Sequence, residues 1–357
     1  DGYGNPNSTV DACSAPSTFV TDNTDCNDND KALNPGTLWY KDEDKDGAGD
    51  PNNSVAACEA PDGYVSNNQD PDDSDPNASG CWKEVSVGRN FTCGLKLDGH
   101  ISCWGLNDPT DPDDSGQVSD APTDGGYVQV AAGLYHGCGR KADGSVSCWG
   151  SNKSGASTPP PGVTFTSIDC GLNLCCGFTG DEGDNLTCWG DNTDGRATPP
   201  PGTFTKVDAF GWFHVCGLKA SGEMVCWGKM EGKGGGPSPT AIPEATYMDI
   251  AAGHYFSCGI VEGGSLSCWG ENKHKQATAA PGMYQQVRAG VVHGCGLKTD
   301  GTIACWGSNS FNRTAAPPGE FKAIDVNQLH SCALGKDGSI SCWGWADQGS
   351  TVPPGCG

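Results

Sequence analysis

The densest run of metal-competent side chains is the segment Asp42-Glu-Asp-Lys-Asp-Gly-Ala-Gly-Asp, residues 42–50. Carboxylates alternate at Asp42, Asp44 and Asp46, a glycine follows for a sharp turn, Ala48 offers a backbone carbonyl, and Asp50 closes the run. Hard oxygen ligands at that spacing can wrap one cation, as at the start of a calcium loop. The twelfth position is Asn53 and not a bidentate Glu, so the expectation is a structural site and not a helix-flanked sensor. No His occurs in residues 1–80, which favours calcium over a transition metal as the cofactor.

Other chemistry is scarce. There is no GxSxG, HExxH or phosphate-binding loop, and no GxGxxG between a strand and a helix. Four of the seven His (His136, His214, His293 and His330) stand two residues before a Cys. A residue that recurs with the architecture is expected to make structural hydrogen bonds, so no catalytic residue is assigned and the chain is expected not to be an enzyme. The acidic insertion Asp108 to Asp114 reads as a solvated loop, with a further calcium site as the alternative. The net charge of −23 repels phosphate backbones and argues against nucleic acid as a partner. No stretch of 18 apolar residues exists to span a membrane.

The elements that carry these residues come in two repeats. From residue 82 onward an alternating apolar–polar segment recurs, as in Trp82 to Gly88, Tyr127 to Gly133, Phe165 to Gly171, Phe204 to Gly211, Tyr247 to Gly253, Tyr284 to Gly290 and Phe321 to Asn327. Each predicts a half-buried strand. A second strand, a tight turn such as Asp98-Gly99 or Asp337-Gly338, and a third strand ending in Cys-Trp-Gly complete the unit. Seven small antiparallel sheets cannot bury their faces singly, but radial packing covers them. The fold class expected is therefore all-β: a seven-bladed β-propeller over 81–357, preceded by an irregular, calcium-binding, disulfide-bonded module over 1–80. The Trp of each Cys-Trp-Gly (104, 149, 189, 227, 269, 306 and 343) is expected to pack between blades.

Twenty-one cysteines without a CxxC pair point to an oxidising compartment, hence to a secreted or cell-surface protein. The pairs Cys93/Cys103, Cys138/Cys148, Cys176/Cys188, Cys216/Cys226, Cys258/Cys268, Cys295/Cys305 and Cys332/Cys342 flank hairpin turns. Each is expected to bridge neighbouring strands and to stabilise by roughly 2–3 kcal/mol. Cys81 and Cys356 lie just outside the repeats, and a bridge between them is expected to close the ring. Cys170 is expected to pair with Cys175, and Cys13 with Cys26. Cys58 is left over as a free or intermolecular thiol.

The pattern GxxHxCgLkxDGxxxCWGxN, as in Gly211 to Gly228 and Gly290 to Asn309, resembles the regulator-of-chromosome-condensation type of repeat. It most resembles the secreted bacterial branch, which includes a β-lactamase-inhibiting propeller. The resemblance spans 82–355 and implies a seven-bladed propeller, without implying chromatin binding or nucleotide exchange.

Residues 1–80 hold 17 acidic and 3 basic residues, and a repeat offset by 45: Asp1-Gly-Tyr-Gly matches Asp46-Gly-Ala-Gly, and Cys13-x-Ala-Pro matches Cys58-x-Ala-Pro. Asp25, Asp28 and Asp30 match Asp70, Asp73 and Asp75, with Pro71 standing where the first repeat has Cys26. This half resembles thrombospondin type 3 repeats and the metal-binding repeats of bacterial surface proteins. The resemblance implies that Asp25, Asp28 and Asp30, and their counterparts Asp70, Asp73 and Asp75, share in wrapping calcium. The first repeat begins at Asp1 without its upstream ligands, which more chain or a neighbouring subunit would complete.

These features lead to an expected non-enzymatic extracellular structural protein: a surface adhesin segment, or a self-associating subunit of a filament or matrix. The main alternative is a propeller that binds a protein or glycan, like the inhibitor relative. A remote alternative is an enzyme working in the propeller channel.

Overall fold

The computed structural model describes residues 26, 35–43, 45, 49–50, 53–66, 82–180, 185–229, 241–345 and 349–354. The chain divides into two compact units, an N-terminal one and one spanning Trp82–Pro354.

In the N-terminal unit a short strand, Leu38–Lys41, pairs antiparallel with Ser54–Ala56 on one side and Tyr64–Val65 on the other. The Trp39 indole donates to the Ala57 carbonyl at 2.9 Å. Ala57 also donates its backbone N–H to Thr37 at 3.0 Å, so the chain entering Cys58 is held at both faces of that bond. Cys58 is bridged to Cys26, with Cα atoms 5.1 Å apart. This corrects the expected Cys13–Cys26 pair and the expected spare thiol at Cys58. The bridge runs between the two tandem repeats, across 32 residues, and not within the first. The small sheet holds the chain that enters Cys58 through both polar groups of Ala57. Cys13 lies outside the described residues.

The second unit holds seven three-stranded antiparallel sheets. Sheet one comprises Trp82–Val87, Phe91–Lys96 and Ile101–Gly105. Sheet two comprises Tyr127–Ala132, His136–Lys141 and Val146–Gly150. Sheet three comprises Ser167–Cys170, Leu174–Thr179 and Asn185–Gly190. Sheet four comprises Phe204–Asp208, His214–Lys219 and Met224–Gly228. Sheet five comprises Tyr247–Ala252, Phe256–Val261 and Leu266–Gly270. Sheet six comprises Tyr284–Ala289, His293–Lys298 and Ile303–Gly307. Sheet seven comprises Phe321–Val326, His330–Gly335 and Ile340–Gly344.

Six of the cores are assembled the same way. The aromatic residue at or just before the start of the first strand lies over a glycine in the second, whereas sheet seven has Ala333 there. A Cβ on Gly94 would stand 2.4 Å from the Trp82 ring, and one on Gly296 would stand 2.5 Å from Tyr284. Glycine in a strand weakens it, and here that cost admits a large ring to the core. The Cys-Trp-Gly tryptophans are all buried. Six of them donate their indole N–H at 2.8–3.1 Å to a backbone carbonyl of another sheet's outer loop. They therefore join sheets.

The seven hairpin pairs are bridged in register, Cys93 to Cys103, Cys138 to Cys148, Cys176 to Cys188, Cys216 to Cys226, Cys258 to Cys268, Cys295 to Cys305 and Cys332 to Cys342. Cys170 and Cys175 are bridged as well. Cys81 and Cys356 lie outside the described residues. Contact between the last sheet and the first is made by hydrogen bonds. Val87 N–H donates to Asp325 at 2.7 Å, Asn327 Nδ2 donates to the Val87 carbonyl at 2.6 Å, and Trp82 N–H donates to Gly338 at 3.1 Å.

Candidate functional site

Alternation along the first strands of six of the sheets, sheet five excepted, sends side chains into a central cavity of about 160 Å³. Glu84, Gln129, Lys206 and Gln286 come from the third strand position, Ser86, Asp208, Arg288 and Asp325 from the fifth, and Asp169 from the shorter first strand of sheet three. Five acceptors at these positions, Asp249 of sheet five among them, cap the next sheet. Glu84 accepts from Val130 N–H at 2.8 Å, Gln129 from Ile168 at 3.0 Å, Asp169 from Ala209 at 2.6 Å, Asp249 from Val287 at 2.8 Å and Gln286 from Ile324 at 2.9 Å. An edge N–H left unpaired in such a place would be costly.

Burial pushes the Glu84 carboxyl up to about 7. Burial also raises Asp208 and Asp169, which lie close enough to repel one another, and Asp325. Arg288 is desolvated too, but Asp249 and Asp325 lead the four carboxylates that hold its proton more tightly than usual. Lys206 pairs with Asp249. These groups are occupied with each other and with backbone, which gives the cavity a structural purpose. Strand alternation alone makes this set legible, yet motif searching does not reach it.

The four repeated histidines lie between sheets. Nε2 of His214 is 2.8 Å from Ser257 Oγ, that of His293 is 3.1 Å from Ser331 Oγ, and that of His330 is 2.7 Å from Thr92 Oγ1. His136 Nε2 faces a sulfur instead, Cys175 Sγ, at 3.2 Å. Burial lowers His136 to about 4 and His214, His293 and His330 to about 3, so all four are neutral at physiological pH.

The turn after each first strand lies at one end of its sheet, beside the end of the third strand. A repeated bond locks the two together: the residue after Cys-Trp-Gly donates to the second turn residue, as Ser151 to Tyr135 at 2.8 Å, Lys229 to Phe213 at 2.7 Å and Trp345 to Leu329 at 3.0 Å. Turn side chains of successive sheets are thus presented together. In sheets four and five they are aromatic. Trp212 and His254 rings lie 4.5 Å apart, Phe213 stacks on Tyr255 at 4.9 Å, and His254 meets Tyr255 at 4.0 Å. All four are half-buried. Arg196 supports the cluster by donating to the Trp212 carbonyl and, at 2.6 Å, to Asp191. At the same end, Phe311 and Trp345 stack at 4.9 Å with 55% and 36% of their surface exposed. Phe311 holds φ at +62°, a left-handed conformation that a phenylalanine adopts only at a cost.

Metal sites are few among the described residues. Asp42 is buried, and Asp50 N–H donates to the Lys41 carbonyl at 2.8 Å, which draws the two ends of the 42–50 loop together. The described side chains of Asp42 and Asp50 offer oxygen donors, the type that suits a hard cation such as calcium. Asp25, Asp28, Asp30, Asp44, Asp46, Ala48, Asp70, Asp73 and Asp75 lie outside the described residues. In the 108–114 insertion the acids are engaged locally: Asp113 accepts from Tyr135 at 2.9 Å and pairs with Arg89 at 3.2 Å. Among the described residues, the one clustered group of His, Cys and carboxylate ligands is His136, Cys138, Cys170 and Cys175. All three sulfurs are in disulfides, so no thiolate is available there.

The Regulator of chromosome condensation (RCC1) repeat matches residues 82–108, 127–156, 204–232, 249–276 and 284–313. The chain carries RCC1 repeats. Sheets three and seven fall outside these matches, and they hold the departures from the pattern, Cys170 and Cys175 in one and Asn327 in the other. Solved structures share the fold. The CRINKLY WD40 ectodomain of the Arabidopsis thaliana receptor kinase ACR4 is 25% identical with a TM-score of 0.59, over 75% of this chain and 96% of that one. The ectodomain of the Physcomitrella patens receptor kinase CR4 is 24% identical with a TM-score of 0.59, over 74% of this chain and 73% of that one. Prp20p from Saccharomyces cerevisiae, reported with its binding properties to Gsp1p and histones, is 14% identical with a TM-score of 0.55, over 75% and 83%. No curated protein sequence matches the chain. The RCC1 repeats make this an RCC1-like β-propeller fold. The nine disulfides among the described residues fit an oxidising, extracellular environment, and no described helix is long and apolar enough to cross a membrane.

Proposed function

We propose that this protein is a secreted, non-enzymatic binding module of the adhesin kind. Its seven sheets act as blades of a closed propeller, and one end of that propeller grips a partner protein. The observation that carries the reading is the aromatic surface of Trp212, Phe213, His254 and Tyr255, with Phe311 and Trp345 at the same end. Rigid aromatic side chains are the usual anchors of protein interfaces. Support also comes from the cavity, whose carboxylates are engaged in backbone and ion-pair contacts. In the N-terminal unit, calcium held by the 42–50 loop stiffens the fold. The filament reading loses its main support once Cys58 is bridged to Cys26.

The test is a binding screen of the whole protein against arrays of secreted proteins and of glycans. A protein ligand whose affinity falls tenfold or more with Trp212→Ala, and is unmoved by Met248→Ala at the other end of the sheets, supports the proposal. Ligands that are all glycans, or protein ligands indifferent to Trp212→Ala, overturn it.

A further inference from the structure

Sheet three departs from the repeat at two places that belong together. The residue before the repeated Cys of the second strand is Thr92, Ser257 or Ser331 wherever a histidine of the preceding sheet faces it. In sheet three it is Cys175, facing His136. The last position of the first strand is Val87, Ala132, Ala252, Ala289 or Val326 in five sheets and Cys170 in sheet three. Cys170 and Cys175 are directly opposed and bridged. That bridge abuts the hairpin bridge of sheet two, with Cys138 Sγ only 3.6 Å from Cys175 Sγ.

Four sulfurs therefore form a continuous line through the wall between two sheets. Cys148, on the third strand of sheet two, is half-exposed. Cys138 and Cys175 are wholly buried. Cys170, at the far end, lines the central cavity. We propose that this line is a thiol–disulfide relay, which converts two bridges within sheets into one bridge between them and delivers a thiol to the cavity wall.

The steps balance with an external dithiol as reductant. Its thiolate attacks Cys148 Sγ, the Cys148–Cys138 bond breaks, and the electron pair leaves on Cys138. That thiolate attacks Cys175 Sγ, the Cys175–Cys170 bond breaks, and the pair leaves on Cys170, which takes a proton from solvent in the cavity. The reductant's second thiol then attacks its own sulfur on Cys148. This releases Cys148 as a thiol and the reductant as a cyclic disulfide. Two electrons enter the protein, and one bridge, Cys138–Cys175, remains of two. Exchange needs the attacking sulfur in contact with the attacked one, and here the pair must close by only about 1.5 Å to reach bonding distance. Elsewhere in the seven sheets the residue before the repeated Cys is not a cysteine, so no other hairpin bridge has such a neighbour.

The test uses the full chain treated with limiting dithiothreitol, quenched in acid, alkylated and mapped by mass spectrometry. The expected product is a Cys138–Cys175 cross-link with Cys148 and Cys170 alkylated. Alkylation of Cys138 and Cys148 together, with Cys170–Cys175 intact, overturns the relay. Cys148→Ser tests the second step without reductant: Cys138–Cys175 should form with Cys170 alkylatable, and an intact Cys170–Cys175 with alkylated Cys138 overturns it. If that variant does not fold, Cys170→Ala supplies the reverse test. It should form Cys138–Cys175 and free Cys148, and an intact Cys138–Cys148 bridge overturns the proposal.

Discussion

Nε2 of His330 stands 2.7 Å from Oγ1 of Thr92, 238 residues away in sequence. The contact joins the seventh sheet to the first, and equivalent positions meet at other junctions. Histidine faces Ser257, Ser331 or Cys175 elsewhere, whereas at the junction of sheets three and four these positions hold Leu174 and Val215, which share one core cluster. The junction thus works as a matched pair, polar with polar or branched with branched.

Thr92→Val should therefore leave His330 Nε2 buried without a partner and cost about 1–3 kcal/mol. Adding His330→Leu, to copy Leu174 and Val215, should recover most of that loss. Chemical denaturation of the two single variants and the double variant checks it, and additive losses would contradict pairwise matching.

The same histidines set the acid limb of stability. Burial lowers His214, His293 and His330 from 6.5 to about 3, and His136 to about 4. A depressed folded-state value contributes stability that is present above pH 6.5 and lost as pH falls towards 3. Each histidine should add a slope of about 1.4 kcal/mol per pH unit in that window. Glu84 acts in the opposite sense, since its value rises from 4.5 to about 7. Its contribution is complete below pH 4.5 and is lost as pH rises through 7. Glu84→Gln keeps an acceptor for Val130, as Gln129 and Gln286 do in their sheets. It should be more stable than the parent at pH 8 and equal to it at pH 4. Melting temperatures across pH 4–8 measure both effects.

Why some of this was legible in the sequence, and some not, follows from what each feature depends on. The sheets and their hairpin bridges depend on local periodicity, so alternating strands, Asp-Gly turns and Cys-Trp-Gly all read directly. The cavity residues needed the register of the first strands, after which Glu84 and Asp169 fall on the inward face by alternation. The bridge between Cys26 and Cys58 depends on how two repeats pack, and the local match of Cys13 with Cys26 misled. The aromatic end was hidden because its turns are unlike one another: Arg89-Asn90, Leu134-Tyr135, Trp212-Phe213, His254-Tyr255 and Val291-Val292 share no pattern. Only the topology brings them to one end.

Calcium should act on the N-terminal unit alone. A ligand that binds the folded state stabilises it by mass action. Chelation should speed amide exchange at Trp39 to Asp42, where the strand leads into the loop, and leave the sheets from Trp82 onward unchanged. Asp42→Asn should reproduce the effect in calcium-containing buffer. Unchanged exchange on chelation would remove the site assignment.

Phe311 offers a separation of binding from stability. Its counterparts in the loops after the third strand, Ser154, Asp194 and Lys275, share the left-handed conformation, at φ values of 59°, 61° and 63°. None of these is glycine, so each carries a backbone cost, and Phe311 alone among the four stacks on an exposed tryptophan. Phe311→Gly should relieve that cost and raise stability by about 0.5–1 kcal/mol, less the stacking lost against Trp345. If the aromatic end is the docking surface, the same substitution should weaken the partner found in the binding screen. A variant that is more stable and binds less well would show strain kept for contact. One that is less stable and binds normally would assign the Phe311–Trp345 stack to folding.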